Sequence, residues 1–252
     1  MEKWFAKIGA ILLLSATLLS CGTPDRNIPV SDDFFLQPHF LQTQTVRYQA
    51  SRADAKLGEM TIGTLVGKDS ITVETVTTIE GMNIRQKVST TLSRTTFLPL
   101  THTVSGSIGD IPLNIHLRWN GQEVSGHSSF PRNSQVLGER EINHTLPPAT
   151  LERASVFALV KTFPLDSCQN FSFYWYNTLE DNVKEVSVMV SDSASVSTPS
   201  GTYSTFRVEI LGDEPALVMY VSKQLPREVV RIEILGLPWA FDLIEVVGKE
   251  PE

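Results

Sequence analysis

Ser107 stands in Val104-Ser105-Gly106-Ser107-Ile108-Gly109-Asp110, close to the turn that presents a hydrolase serine. That turn needs Gly two positions before the nucleophile, where this chain has Ser105, and it joins a strand to a helix rather than to a second strand. His39, His102, His116, His127 and His144 are scattered, with no two at i,i+4 on a helix and no cysteine nearby. They read as solvated strand and loop residues, so no metal site is expected. Cys168, beside Asp166 and Ser167, has the nucleophile's chemistry but reads as a small packed residue. Glu74, Glu80, Asp110, Glu123 and Asp181 could serve hydrolysis of an envelope polymer only if two met in one cleft, about 5–9 Å apart. Their spacing forecasts no such meeting. No calcium loop or phosphate-cradling glycine loop occurs. The sequence therefore predicts no catalytic residue, no cofactor and no enzyme.

The reactive residue with the most informative surroundings is Cys21. Met1–Lys7 carries Lys3 and Lys7 beside Glu2, and Ile8–Leu19 follows without a charge. This uncharged, mostly apolar run of twelve residues matches a signal-peptide core and is too short to cross a bilayer. Leu18-Leu19-Ser20-Cys21 then ends the run, with Gly22 after it. This pattern resembles the lipobox of bacterial lipoproteins. The resemblance implies cleavage before Cys21, a thioether lipid on its sulfur, and in many bacteria a further acyl chain (palmitate-like) on the freed amine. At about 0.8 kcal/mol per buried methylene, two or three chains anchor a protein almost permanently. The expected place is the bacterial cell envelope, on the periplasmic or outer-membrane face of a membrane, with Cys21 as the membrane contact. With Cys21 acylated, Cys168 has no disulfide partner.

Three segments follow from this: a signal peptide over 1–20, a lipidated tether over 21–43, and a single domain over 44–248. The tether carries Pro24, Pro29 and Pro38 and, if fully flexible, reaches on the order of 25 Å. Phe34, Phe35, Leu36, Phe40 and Leu41 are unusually apolar for a linker. They are expected to pack on the domain as its first structured piece, or else to touch a membrane or partner. A net charge of -7 argues against nucleic acid as a partner, since neutralising phosphates needs excess Lys and Arg.

Beyond Gln44 the hydrophobic period is two. Leu113, Ile115, Leu117 and Trp119 alternate with polar residues, and Ile71, Val73 and Ile79 share a face opposite Glu74 and Glu80. The pattern recurs in Val186, Val188 and Val190, in Phe206, Val208 and Ile210, and in Val230, Ile232 and Ile234. Asn120-Gly121 predicts a type I′ hairpin. One stretch, Thr150–Thr162, lacks Gly and Pro and lies between Pro148 and Pro164. It predicts a three-turn helix capped by Thr150, with Glu152 at the positive end of its dipole. This helix is apolar on nearly every side and belongs inside the protein. The expected fold is mainly β: a long curved antiparallel sheet, or half barrel, of roughly eleven to thirteen strands wrapping one helix at about 150–162.

Phe171, Phe173 and Trp175 share one face of a strand, with Tyr174 and Tyr176 on the other, and Leu217, Met219 and Val221 are likewise backed by Val218 and Tyr220. Strands apolar on both sides need cover on both sides. Either plain core packing supplies it, or a hydrophobic cavity lies between sheet and helix. A cavity would be lined by Phe171, Phe173, Trp175, Met219, Tyr220 and Trp239.

The C-terminal third reads Val196-Ser197-Thr198-Pro199-Ser200-Gly201-Thr202-Tyr203-Ser204-Thr205-Phe206, and later Leu225-Pro226-Arg227-Glu228-Val229-Val230-Arg231-Ile232-Glu233. A P-x-G-T-[FY] turn and an L-P-R-x-V-V-x-I-E strand, with Val46-Arg47-Tyr48 and Leu57-Gly58-Glu59-Met60 near the start, resemble the bacterial envelope family DUF3108. The resemblance implies a secreted, β-rich half barrel with no established catalytic residue. The architecture is remotely similar to the lipoprotein-localisation fold, which holds acyl chains in its cavity. Local chemistry accounts for the strand motif, with Arg227, Arg231 and Glu233 facing outward and Val230 and Ile232 inward. The function expected is a non-catalytic, membrane-anchored lipoprotein whose curved sheet binds a lipid-like hydrophobic molecule or an envelope protein. The alternative is a structural lipoprotein with a filled core, and less favoured is a polymer hydrolase.

Overall fold

The period of two from residue 44 onward is realised as a chain of hairpins. A computed structural model describes residues 36–248, apart from 54, 130–138, 168–169 and 193–194. The first meander comprises β1 (Gln44–Arg52), β2 (Ala55–Val66), β3 (Ser70–Ile79), β4 (Ile84–Ser93), β5 (Pro99–Ile108), β6 (Ile111–Asn120), β7 (Glu123–Ser128) and β8 (Arg140–Thr145). After the short β9 (Leu151–Glu152) and a helical passage come β10 (Asn170–Asn177), β11 (Asn182–Asp192), β12 (Val196–Thr198) and β13 (Gly201–Tyr203). The chain ends with β14 (Thr205–Leu211), β15 (Leu217–Ser222), β16 (Val229–Ile234) and β17 (Trp239–Gly248).

All but β12 and β13 join one sheet, in the order β8-β7-β6-β5-β4-β3-β2-β1-β17-β16-β15-β14-β11-β10-β9. The first and last long strands pair antiparallel, from Gln44↔Gly248 to Arg52↔Trp239, and so splice two meanders into one surface. Among the described residues only β9 pairs in parallel, with β10. The fold class is mainly β, as the alternation predicts. Fifteen strands in the sheet exceed the number expected, because short strands such as β9 are invisible to a periodicity.

The sheet curls without closing. Strand glycines permit this where neighbouring backbones crowd together. Gly106 in β5 has φ +125°, and a Cβ there would collide with the carbonyl oxygen of Arg85 in β4. The curl brings β8 near the β10–β11 turn, where His144 Nε2 lies 2.8 Å from Asp181 Oδ1. It also sets Trp119 edge-on to Tyr176, with 6.1 Å between ring centroids. Two cores result: a large one between the sheet and the helical passage, and a smaller one around Leu113, Ile115, Leu117, Trp119 and Tyr176. The aromatic strand β10 is thus covered on both sides.

The expected three-turn helix is shorter. Arg153–Ser155 and Val160–Thr162 are 3-10 turns flanking a single α turn, α1 (Val156–Leu159). Glu152, not Thr150, caps the passage. Its carboxylate accepts from the Ser155 N–H at 3.0 Å, while the Thr150 hydroxyl donates to Pro147 O. The hairpin after Asn120 also differs from expectation. Asn120 pairs with Glu123, and of the two loop residues only Gly121 has positive φ, the pattern of a type II′ turn.

One end of the half barrel is plugged. Gln37 N–H donates to Thr162 O, and Leu36 and Leu41 pack against the large core, so the apolar end of the tether region is the domain's first packed piece. Beneath it, Lys161 Nζ lies 3.1 Å from Glu228 Oε2, and Gln44 Nε2 donates to both Glu228 oxygens at 2.8 and 2.9 Å. Burial, reinforced by Glu228, holds the Tyr48 phenol well above its ordinary pKa. Arg227, expected outward, is instead buried, paired with Asp166 and stacked 4.1 Å over Phe40. Its loop folds under the entry segment, which no strand periodicity reveals.

A candidate ligand cavity

At the opposite end the interior is not filled. Meander connectivity places the β1–β2, β3–β4, β5–β6, β10–β11, β14–β15 and β16–β17 turns there. Of these, the β3–β4, β10–β11, β14–β15 and β16–β17 turns contribute Met82, Thr178, Pro215 and Leu237 to the lining of a hollow of about 390 Å³. Met82 on the β3–β4 turn and Leu237 on the β16–β17 turn stand exposed at its rim. From the rim inward the walls are aliphatic: Ile79, Ile84, Val104 and Ile108 on one side, Leu217 and Ile232 on the other. Phe157 of α1 supplies the roof, and Trp239 and Phe241 of β17 complete the wall. A space this large and this apolar has the dimensions and lining of a small-molecule site.

A polar cluster interrupts that lining. His102 and Glu152 are each 1% exposed, yet both reach the hollow. Thr90 Oγ1 donates to Glu152 Oε2 at 3.1 Å and lies 2.9 Å from His102 Nδ1. A hydroxyl has one proton, so the imidazole supplies the other and carries its hydrogen on Nδ1, leaving Nε2 as the ring's acceptor. Burial pushes the His102 pKa below 6.5 against the pull of Glu152, which keeps the ring neutral. Glu152 also receives Ser155 N–H on Oε2, and on Oε1 a long contact from Thr178 at 3.5 Å.

Next to it, Arg153 is already engaged. Its Nη2 donates to Pro215 O at 3.0 Å, its Nε lies 3.8 Å from Asp213, and its guanidinium sits 5.1 Å over the Trp175 ring. Burial lowers its pKa, with Asp213 the largest opposing influence. Asp213 in turn accepts from Trp175 Nε1 at 2.9 Å and Asn177 Nδ2 at 3.1 Å.

Threonine, histidine and glutamate suggest a hydrolytic triad by type. Their arrangement differs from one. In a triad the carboxylate and the nucleophile occupy opposite ring nitrogens. Here Thr90 and Glu152 both approach Nδ1, at 2.9 and 3.5 Å, and the hydroxyl proton points at the carboxylate. Thr90 is therefore not placed as a triad nucleophile. Among the described residues no group of three or more His, Cys, Asp and Glu could hold a metal ion.

Of the residues named from the sequence for a cavity, Trp239 lines the hollow. Phe171 and Phe173 pack edge-on against Phe163, at 5.4 and 5.7 Å, and Trp175 and Met219 are fully buried in the same core. Tyr220 lies on the other face of β15, its hydroxyl donating to Glu233 at 3.2 Å. Phe163 and the helical passage occupy the space beside β10, so the void lies further along, under β3–β5. Cys21 and Cys168 lie outside the described residues. His102 is buried rather than solvated, a correction that its shared parity with Val104 could have supplied. Ser107 sits within the β5–β6 hairpin, and Glu74 pairs with Lys87 on the outer face.

A second hollow, about 490 Å³, lies over Gly63 on the outer face between Thr45, Leu65, Glu74 and Val247. Leu65 and Val247 are more than half exposed, so this is an open surface groove.

No curated protein matches the chain in sequence. Among solved structures, it is similar to a beta-barrel-like protein of the domain of unknown function DUF1849 from Brucella abortus, with a TM-score of 0.55 and 8% identity. That likeness covers 84% of this chain and 100% of the other, and at this identity it concerns the fold. The profile of a protein family of unknown function, DUF3108, matches residues 44–235, which spans the first meander, the helical passage and the second meander through β16. The chain belongs to the DUF3108 family.

Proposed function

We propose that this protein is a non-catalytic lipoprotein of the bacterial envelope, anchored through Cys21, that holds a lipid-like molecule in the hollow of its half barrel. One observation carries the ligand reading: an apolar cavity of about 390 Å³ bordered by turns, in a domain whose opposite end is sealed. A structural lipoprotein with a filled core would have no void above about 300 Å³. Binding draws on apolar burial at roughly 25 cal/mol per Å², offset by the cost of association. The shared ring nitrogen in the Thr90–His102–Glu152 cluster favours holding over hydrolysis. The lipobox pattern at residues 18–21 supports the anchor.

Two measurements test these parts separately. Organic extraction of the protein expressed from residue 22 onward should release a co-purified amphiphile; recovery of clean, empty protein supports the structural reading instead. Mass spectrometry of the N-terminal peptide from cells should show an acyl-modified Cys21. A free thiol there removes the anchor.

A further inference from the structure

We infer that the cavity takes an uncharged, hydroxyl-bearing lipid with its polar end at Glu152 and His102, and rejects a fatty-acid carboxylate. This rests on the reading of the hollow as a lipid site. Along β5 the wall passes from Ile108 through Val104 to His102, and Glu152 meets it from β9 beside Thr178, so the polar cluster borders the aliphatic lining. These groups offer acceptors. Glu152 Oε1 is met only by the 3.5 Å contact from Thr178, and the neutral imidazole keeps Nε2 as an acceptor. Three carboxylates (Asp213, Glu180 and Glu152) bear on one guanidinium, Arg153, whose Nη2 donates to Pro215 O and whose Nε faces Asp213 at 3.8 Å. A ligand carboxylate would add a further negative charge to a site that already holds more carboxylates than cations, and like charges disfavour ionisation in a low-dielectric space. A hydroxyl donates one hydrogen bond to a charged acceptor without adding charge, and hydrogen bonds to charged groups are the stronger kind. The aliphatic wall then receives the chain.

The test uses the full chain in lipid nanodiscs with three diazirine-bearing probes of equal chain length: a primary alcohol, the carboxylic acid and the alkane. Cross-linked peptides are quantified by mass spectrometry. The alcohol should label β5, β16 and β17 residues of the hollow roughly tenfold more than the acid, the equivalent of one charged hydrogen bond. Glu152→Gln, which keeps an oxygen to cap Ser155 N–H, should shrink that ratio to near one. Acid labelling equal to or above alcohol labelling in the wild type overturns the polar-end assignment while leaving the cavity reading intact. Absence of labelling by all three probes, the alkane included, overturns both. The wild-type comparison alone decides the matter if Glu152→Gln fails to fold.

Discussion

The two ends of this half barrel are built from the same alternating strands and finished in opposite ways. At the tether end, Leu36 and Leu41 close over the core, Glu228 meets both Lys161 and Gln44, and Arg227 meets Asp166 through Nη2. At the other end the strands stop at turns carrying exposed Met82 and Leu237, and the space between sheet and α1 stays open. Void surface forgoes dispersion contacts, so an unfilled interior lowers stability unless something occupies it. The contrast teaches that the void is local. One end is packed shut and the other keeps an open interior.

Substitutions at the two ends should have unequal costs. The largest effect is expected for Lys161→Met, which strands Glu228 without its cation and should cost about 3–5 kcal/mol in urea unfolding. Leu41→Ala should cost about 2–5 kcal/mol by the same measurement. A loss under 1 kcal/mol from either would mean that the tether end is not the stable one.

Acidification probes the cavity wall. Burial lowers the folded-state His102 pKa from 6.5, so below that value the unfolded chain binds more protons. The contribution is complete above 6.5 and is lost as pH falls toward the folded value. Wild type should therefore lose more stability than His102→Gln between neutral pH and mildly acidic pH; parallel pH profiles would contradict the buried neutral ring. Val104→Phe places a ring in the hollow and should change stability by less than about 1 kcal/mol, whereas overpacking a filled core costs about 1–3 kcal/mol. Smallest of all, Leu237→Ala at the rim should stay within about 0.5 kcal/mol.

The sheet was legible because alternation is written into residues such as Leu113, Ile115 and Leu117, all of which face inward and are buried. The splice of β1 to β17 was not legible, since pairing between residues 44 and 248 leaves no local trace. Aromatic strands drew the predicted cavity toward Phe171 and Phe173, but large rings fill space, and Phe163 meets them. The real signal was the reverse. Thr75, Thr77, Gln86, Thr90 and His102 occupy inward-facing parity positions with small or polar side chains, and the hollow forms beside them. Periodicity places Glu152 at the positive end of a three-turn helix, whereas in the structure the helix is shorter and Glu152 is its buried cap.

The most direct test sets native mass spectra of wild type and Val104→Phe side by side, both expressed from residue 22 onward and purified without detergent. The account predicts a lipid-sized mass excess on the wild type that is absent from Val104→Phe. An unliganded wild type, or the same adduct on both proteins, would contradict it.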